Sequence, residues 1–385
     1  MKDKPEIVFI FNGIMGGVAS FNFNIINNSE LIHQFHSKVI LINAVEDKRV
    51  LFTEKFNADE IINFNYSYSD NQYLVLKRLN AHIGNKEGLV VLDSVLAIQA
   101  VSLFNNPKTV FHLLHDYFYV TQNNYFGSNI DVAIAHSSFF SDAVFAASPK
   151  HFGGRSFYIP YGVKQLDAFP QKNNDILKLV FLGRLDEGKG AHLLFEIEKI
   201  LDEKNVNVQW TIIGKGPLKA SLQTQWSNKK NCVFAAPETT AEVYAALANQ
   251  DIFVFPTSFE GTPVSILECL ANGVVTITND LPGGIRDIVT EAYGYRCKLN
   301  NIEAFAESII KLNADRNLLK KMQENCYRLA QNNYDIKKNA DAYFDLFLKY
   351  KSLKRKENRS VPKLNRLDNK YLPNSIVKFI RHINK

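Results

Sequence analysis

Short apolar runs alternate with helical stretches almost throughout this chain, and that alternation does most to limit the folds open to it. In the first half the runs are residues 7–11, 38–43, 89–93, 109–115 and 132–137; in the second they are 177–183, 208–214, 232–236, 251–255 and 274–279. The run Asp251-Ile252-Phe253-Val254-Phe255 is apolar without alternating polarity, as befits a parallel strand covered on both faces. Repeated strand and helix predict two doubly wound α/β domains, and 385 residues suffice for two cores. Between them, Ile159-Pro160-Tyr161-Gly162-Val163 and the polar residues 165–175 read as a hinge. The expected division is an amino-terminal domain over 1–162, a second domain over 163–335, and a helical extension with a basic tail over 336–385.

Composition narrows the function. No run of about 20 apolar residues is present to span a bilayer. The start Met1-Lys2-Asp3-Lys4-Pro5 lacks a signal-peptide layout, because the apolar residues 7–11 are too few, so a cytoplasmic protein is expected. Cys232, Cys269, Cys297 and Cys326 form no C-x-x-C pair and read as reduced, mostly buried thiols. The net charge of +6 is uneven: residues 351–385 hold eleven Lys or Arg against Glu357 and Asp368, leaving the remainder net acidic. No nucleic-acid partner is expected, since such proteins spread cations over their folded domains among aromatic platforms. The turn Gly13-Ile14-Met15-Gly16-Gly17 is not the G-x-G-x-x-G dinucleotide fingerprint, and Asn43 rather than an acid ends the second strand, which argues against hydride transfer.

The most informative segment is Phe259-Glu260-Gly261-Thr262-Pro263-Val264-Ser265-Ile266-Leu267-Glu268, where two carboxylates flank a loop-to-helix junction. Thr262 reads as the helix N-cap, Pro263 as the first helical residue, and Asn272-Gly273 as a left-handed stop. Amides near Gly261 and Thr262 then point from the helix N-terminus, where phosphate is favoured, with Glu260 at that mouth. Glu268 lies further along a helix otherwise carrying Val264, Ile266, Leu267, Leu270 and Ala271, where a carboxylate wants a buried partner. Upstream, residues 177–182 run into Gly183-Arg184-Leu185-Asp186-Glu187-Gly188-Lys189-Gly190, before a helix starting near Ala191. Arg184 offers a planar fork and Lys189 a compact second charge, fit to clamp a diphosphate; two solvated cations on a glycine-rich turn is the competing reading. Gly214-Lys215-Gly216-Pro217 ends another strand, where Lys215 either adds a phosphate contact or, on the favoured reading, faces water; Gly283-Gly284 opens a short helix in which Arg286 and Asp287 are given no role.

The run from Val254 to Pro282, VFPTSFEGTPVSILECLANGVVTITNDLP, resembles the core motif of retaining glycosyltransferases of family 4, whose Glu-x7-Glu follows a strand and opens a helix. The segment at Gly183 is similar to that family's G-R-L-x-x-x-K-G, Gly214 to Pro217 to its G-x-G-P turn, and residues 159–163 to its IPNGV segment with Tyr161 in place of Asn. The likeness extends over about residues 5–350. It implies a GT-B fold, two Rossmann-like domains facing across a cleft, with the last helix returning to brace the first domain. It also implies roles. Arg184 and Lys189 hold the nucleotide diphosphate, Glu260 the hydroxyls of the transferred sugar, and Glu268 the ribose hydroxyls. Gly183, Gly214, Gly216, Gly261, Thr262 and Pro263 line the donor site, residues 232–236 offer backbone groups to the base, and Gly16 and Gly17 belong to a loop approaching donor phosphates or acceptor, a plain tight turn being the competing reading of that pair. His115 faces the transferred sugar on this reading, whereas a histidine at a strand edge is otherwise a hydrogen-bonded structural residue. His136 is the weaker candidate of the two.

The family is assigned same-face transfer, in which the leaving diphosphate takes the acceptor's proton, so the protein's task is to stabilise growing phosphate charge. No D-x-D motif occurs, and the expectation is a metal-independent enzyme without a cofactor, moving a sugar from a nucleotide diphosphate, UDP foremost, to a bacterial surface glycan or lipid-linked acceptor. Its rivals are a phosphorylase or sugar-nucleotide epimerase of the same architecture, and a transferase-like subunit without turnover. In the tail, Ile376, Val377, Phe379, Ile380 and Ile383 fall opposite Lys378, Arg381 and Lys385 at helical spacing. Two readings stand: peripheral attachment to an anionic membrane, or an apolar face docked on the protein with its cations in water.

Overall fold

The structure, a computed structural model, describes residues 4–147, 152, 154–172, 175–237, 239–356 and 359–383. Met1, Lys2, Asp3, Glu357 and Lys385, named above, and residues 173 and 174 of the polar stretch lie outside the described residues. The chain divides into two units, residues 1–162 with 336–385, and residues 163–335.

The first unit is built on seven parallel strands: β1 (Glu6–Asn12), β2 (His36–Ala44), β3 (Glu60–Tyr66), β4 (Gly88–Leu92), β5 (Thr109–Leu114), β6 (Val132–Ala135) and β7 (Ser156–Tyr158). They lie in the order β3-β2-β1-β4-β5-β6-β7, with Phe9 of β1 opposite Val39 of β2 on one side and Val91 of β4 on the other. Strands flanked on both sides and covered on both faces must be apolar throughout, and β1, β4, β5 and β6 are buried along almost their whole length. After the second unit the chain comes back as the helix Ile336–Phe347, whose Phe344 and Phe347 rings lie 6.3 and 6.0 Å from Phe9. Phe347 also meets Phe111 of β5 edge-on at 5.3 Å. This helix ends at Phe347, and a separate turn, Tyr350–Leu353, follows.

The second unit carries β8 (Leu177–Leu182), β9 (Val208–Ile213), β10 (Cys232–Ala235), β11 (Ile252–Phe255), β12 (Val275–Asn279) and β13 (Gly294–Cys297), all parallel, in the order β10-β9-β8-β11-β12-β13. A buried acid is fully paired here: Glu198 accepts from Trp210 Nε1 at 2.8 Å, Lys229 Nζ at 2.8 Å and Asn231 Nδ2 at 2.7 Å. Such pairing is what allows a carboxylate in the interior.

Three strands escape the apolar-run reading: β3, β7 and β13. Each is the outermost strand of its sheet. An edge strand has one neighbour and incomplete cover, so β3 reads EIINFNY with only Phe64 buried. The helix after β11 also corrects an expectation. It runs Val264–Ala271 with Pro263, not Thr262, in the N-cap position and no side-chain cap bond. Proline at that place has the extended backbone a cap needs, φ −73° and ψ 113°. Its stop is the anticipated one, Gly273 with φ +61°. No helix among the described residues is long and apolar enough to cross a membrane.

Candidate active site

In the second sheet the strand order reverses between β8 and β11, and ligands of open α/β sheets bind outside the carboxyl ends of strands at such a point. The loops leaving those two strands are bolted together. Ser258 N donates to Gly188 O at 3.0 Å and Thr257 Oγ1 to the same oxygen at 3.1 Å. At Gly190, with φ +72°, a Cβ would lie 2.0 Å from Pro256 O, so only glycine admits this contact. The loop after β9 joins through Gly183 N to Ile213 O at 3.1 Å and Leu185 N to Lys215 O at 2.9 Å, and a Cβ on Gly214 would sit 1.9 Å from Gly183 O. The loop after β12 joins through Asn279 Nδ2 to Thr257 O at 2.8 Å and Gly284 N to Gly261 O at 2.9 Å. Gly183, Gly214, Gly216, Gly261 and Thr262 are thus gathered at one sheet edge by close contacts, and Pro263 is next in the chain.

Two cations of this edge each have an acid beside them. Lys189 Nζ donates to Glu260 Oε1, a pair in which Glu260 is the more deeply buried partner, and the ammonium lies 5.9 Å from the Phe255 ring centre. Arg184 Nε donates to Asp186 Oδ2, while the guanidinium is largely exposed. Asp186 also accepts from Lys189 N at 2.9 Å, so one carboxylate folds the turn that presents both cations. Asp186, Thr257 and Asn279 went unremarked in the sequence reading; an Asp three residues ahead of the amide it accepts is a local turn signal that could have found the first.

Glu268 sits on the helix Val264–Ala271, partly accessible, yet burial pushes its carboxyl up to about 7. No side chain or amide among the described residues donates to that carboxyl. The described residues do not supply the partner anticipated for it, and its proton is held instead. Nearby Tyr244 is raised by burial and by the Glu268 charge, and its hydroxyl donates to Lys164 O at 2.8 Å.

In the first unit His115, which follows β5, is enclosed by other side chains. Its Nε2 is 3.2 Å from Asp93 Oδ2, which also accepts from Asn22 Nδ2 at 3.2 Å, and its Nδ1 is 2.5 Å from the Tyr161 hydroxyl. Since a carboxylate only accepts, Nε2 carries the proton shared with Asp93, and the Tyr161 hydroxyl is the partner of Nδ1. Only 5% of His115 is exposed. His136 bonds the Tyr343 hydroxyl at 2.7 Å, with its ring 4.3 Å from Tyr161, and burial holds it well below its ordinary 6.5. Tyr161, in the place where IPNGV has Asn, is therefore the residue that orients His115. Gly16 caps the helix Gly17–Asn27 without a side-chain bond, and a Cβ on Gly16 or Gly17 would meet nothing within 4 Å. Internal packing does not account for that pair.

Two parallel Rossmann-like sheets in one chain define the GT-B class of fold. Anabaena HepE in complex with UDP superimposes over 89% of this chain and 99% of its own, with a TM-score of 0.67 at 15% identity. Sucrose-phosphate synthase from Thermosynechococcus elongatus does so over 90% and 99%, with a TM-score of 0.69 at 13% identity. Residues 163–329, within the second unit, match the family described as glycosyl transferases group 1. Among curated relatives, the Escherichia coli UDP-Gal:alpha-D-GlcNAc-diphosphoundecaprenol alpha-1,3-galactosyltransferase is 27% identical over 184 residues, 46% of either chain. The Staphylococcus aureus capsular polysaccharide biosynthesis glycosyltransferase CapM is 27% identical over 187 residues, 46% of this chain and 48% of that one. The match spans about half the length of these curated relatives.

Proposed function

We propose that the protein is a retaining, metal-independent glycosyltransferase that takes a sugar from a nucleotide diphosphate, UDP foremost, and adds it to a surface-glycan or lipid-linked acceptor. The observation that carries the reading is the convergence of Arg184, Lys189, Glu260 and a helix N-terminus at the switch point of the second sheet. In this reading the guanidinium, the ammonium and the first-turn amides meet the diphosphate and its growing charge. Glu260, released from Lys189 as the phosphate takes the ammonium, receives sugar hydroxyls, and Glu268 receives the ribose hydroxyls that its missing donors leave room for. The bond from the anomeric carbon to the diphosphate breaks, the acceptor oxygen bonds that carbon from the same face, and its proton passes to the departing phosphate oxygen. His115, buried and bonded on both ring nitrogens, acts in this scheme by fixing the loop after β5 rather than by proton transfer. The relatives named for UDP-galactose transfer and capsule synthesis support the choice of donor and acceptor class.

The test is incubation of the purified chain with a panel of nucleotide sugars and isoprenoid-diphosphate or oligosaccharide acceptors, following nucleotide release and product anomer. Nucleotide released in step with a product of unchanged anomeric configuration, in the presence of a chelator, is the expected result. An epimerised donor, or no turnover with intact UDP binding, overturns it.

A further inference from the structure

The helix Asn374–Ile383 meets the protein with the wrong face for a docked amphipathic helix. Its polar side is the anchored one. Arg381 Nη2 forks onto Asp368 at 2.9 and 2.7 Å, Lys378 Nζ pairs with Asp70 Oδ1 at 2.8 Å, and Asn374 Nδ2 donates to the same Asp70 oxygen at 2.8 Å. Asp368 in turn accepts from Gln72 N at 2.7 Å and Asn374 Oδ1 accepts from Asn71 N at 2.7 Å, so the tail caps the N-terminus of the helix Gln72–Ile83. Burial raises the Asp70 carboxyl, but Lys378 and Asn374 outweigh it and hold the group below its ordinary range. Of the apolar side chains only Val377 is buried. Phe379 is 65% exposed, Ile383 63% and Ile376 45%, one stripe at positions i, i+3 and i+7, with Tyr371 just ahead at 80%. Both sequence readings of the tail had its cations in contact with solvent or lipid; the structure puts two of them on the protein.

We infer that this helix is a membrane-surface anchor whose apolar stripe enters the interface of an anionic bilayer. Ten residues rise about 15 Å, enough to lie in an interface and too short to cross one. Charge decides the occupant. From Ser360 to Ile383 the one acid is Asp368, buried beneath Arg381, whereas Lys363, Arg366 and Lys370 are exposed. A second copy docking isologously would set this cationic rim against its own like, while anionic headgroups complement it. The anchor residues Asp70 and Asn71 follow β3, at the carboxyl edge of the first sheet that also bears Gly16 and Gly17 after β1. If the acceptor is lipid-linked, a consequence that rests on the proposed function, the bilayer meets the edge where the acceptor loop lies.

The test is flotation of the full chain with vesicles of phosphatidylcholine, alone or mixed with phosphatidylglycerol. Binding to the mixed vesicles is expected, falling about fivefold for each of Lys363→Gln, Arg366→Gln and Lys370→Gln. The triple variant Ile376→Ser, Phe379→Ser, Ile383→Ser should lose flotation while keeping its urea midpoint, since these side chains face solvent. Absence of flotation, undiminished flotation of the serine variant, or light scattering that shows a wild-type dimer made monomeric by it, overturns the inference. UDP affinity measured on the same samples is independent of the tail, so a failed anchor and a failed donor site are told apart.

Discussion

Lys189 and Glu260, 71 positions apart in the chain, form an ion pair that bridges the loops after β8 and β11 at the point where the second sheet reverses its strand order. The pair stores no large stability, since Lys189 is partly solvated. Its consequence is positional: the ammonium is held where phosphate is proposed to bind, and the carboxylate where the sugar is.

Lys189→Met should weaken UDP binding by about tenfold or more, the worth of one charge-assisted hydrogen bond, and Arg184→Met by a similar factor. Titration calorimetry of the free chain with UDP measures both. Unchanged affinity in the two variants would remove the phosphate role.

Gly214→Ala should cost more than about 2 kcal/mol, because its Cβ would lie 1.9 Å from Gly183 O at φ +152°. Gly16→Ala and Gly17→Ala, with nothing within 4 Å of the new methyl, should leave the urea midpoint unchanged while lowering turnover. A loss of stability in the last two would make that turn merely structural.

Glu268 gives a pH dependence. Its carboxyl is raised from 4.5 to about 7, so the folded protein holds a proton that the unfolded chain has released between those values. Stability from this group is therefore full at low pH, declines as pH rises from about 4.5 toward 7, and is level above. Ribose hydroxyls need the ionised form, so UDP binding should release a proton at pH 6.5 and tighten as pH rises through 7, whereas Glu268→Gln should show neither. Calorimetry in buffers of different ionisation enthalpy reads the proton directly.

Tyr161→Phe leaves His115 Nδ1 buried without its hydrogen-bond partner, a change worth about 1–3 kcal/mol. A lower urea midpoint is expected, with kcat reduced and KM for the nucleotide sugar unchanged. Full activity in this variant would show that the Asp93, His115 and Tyr161 chain has no bearing on turnover.

How far could the sequence be read? The strands flanked by others were plain from apolar runs, since burial on every side leaves no room for polar residues. Of the four outer strands, β3, β7 and β13 were not, because a half-covered strand need carry no such run, whereas the outer β10 did carry one. Gly190 and Gly214 stood out as turn residues, yet what demands glycine there is a backbone from another loop, invisible until the sheet brings it near.

The chain alone determined the alternation of strand and helix, the glycine turns at strand ends, and the chemistry-bearing residues within them, because each depends on neighbours a few positions away. Tertiary structure alone decided that Lys189 meets Glu260, that Glu268 finds no donor among the described residues, that Tyr161 meets His115, and that the tail turns Lys378 and Arg381 onto the protein. Those outcomes depend on which surfaces remain unpaired once the sheets have formed. Asp70 and the open end of the helix Gln72–Ile83 called for cations and acceptors, and the tail supplied them at the expense of covering its own apolar face.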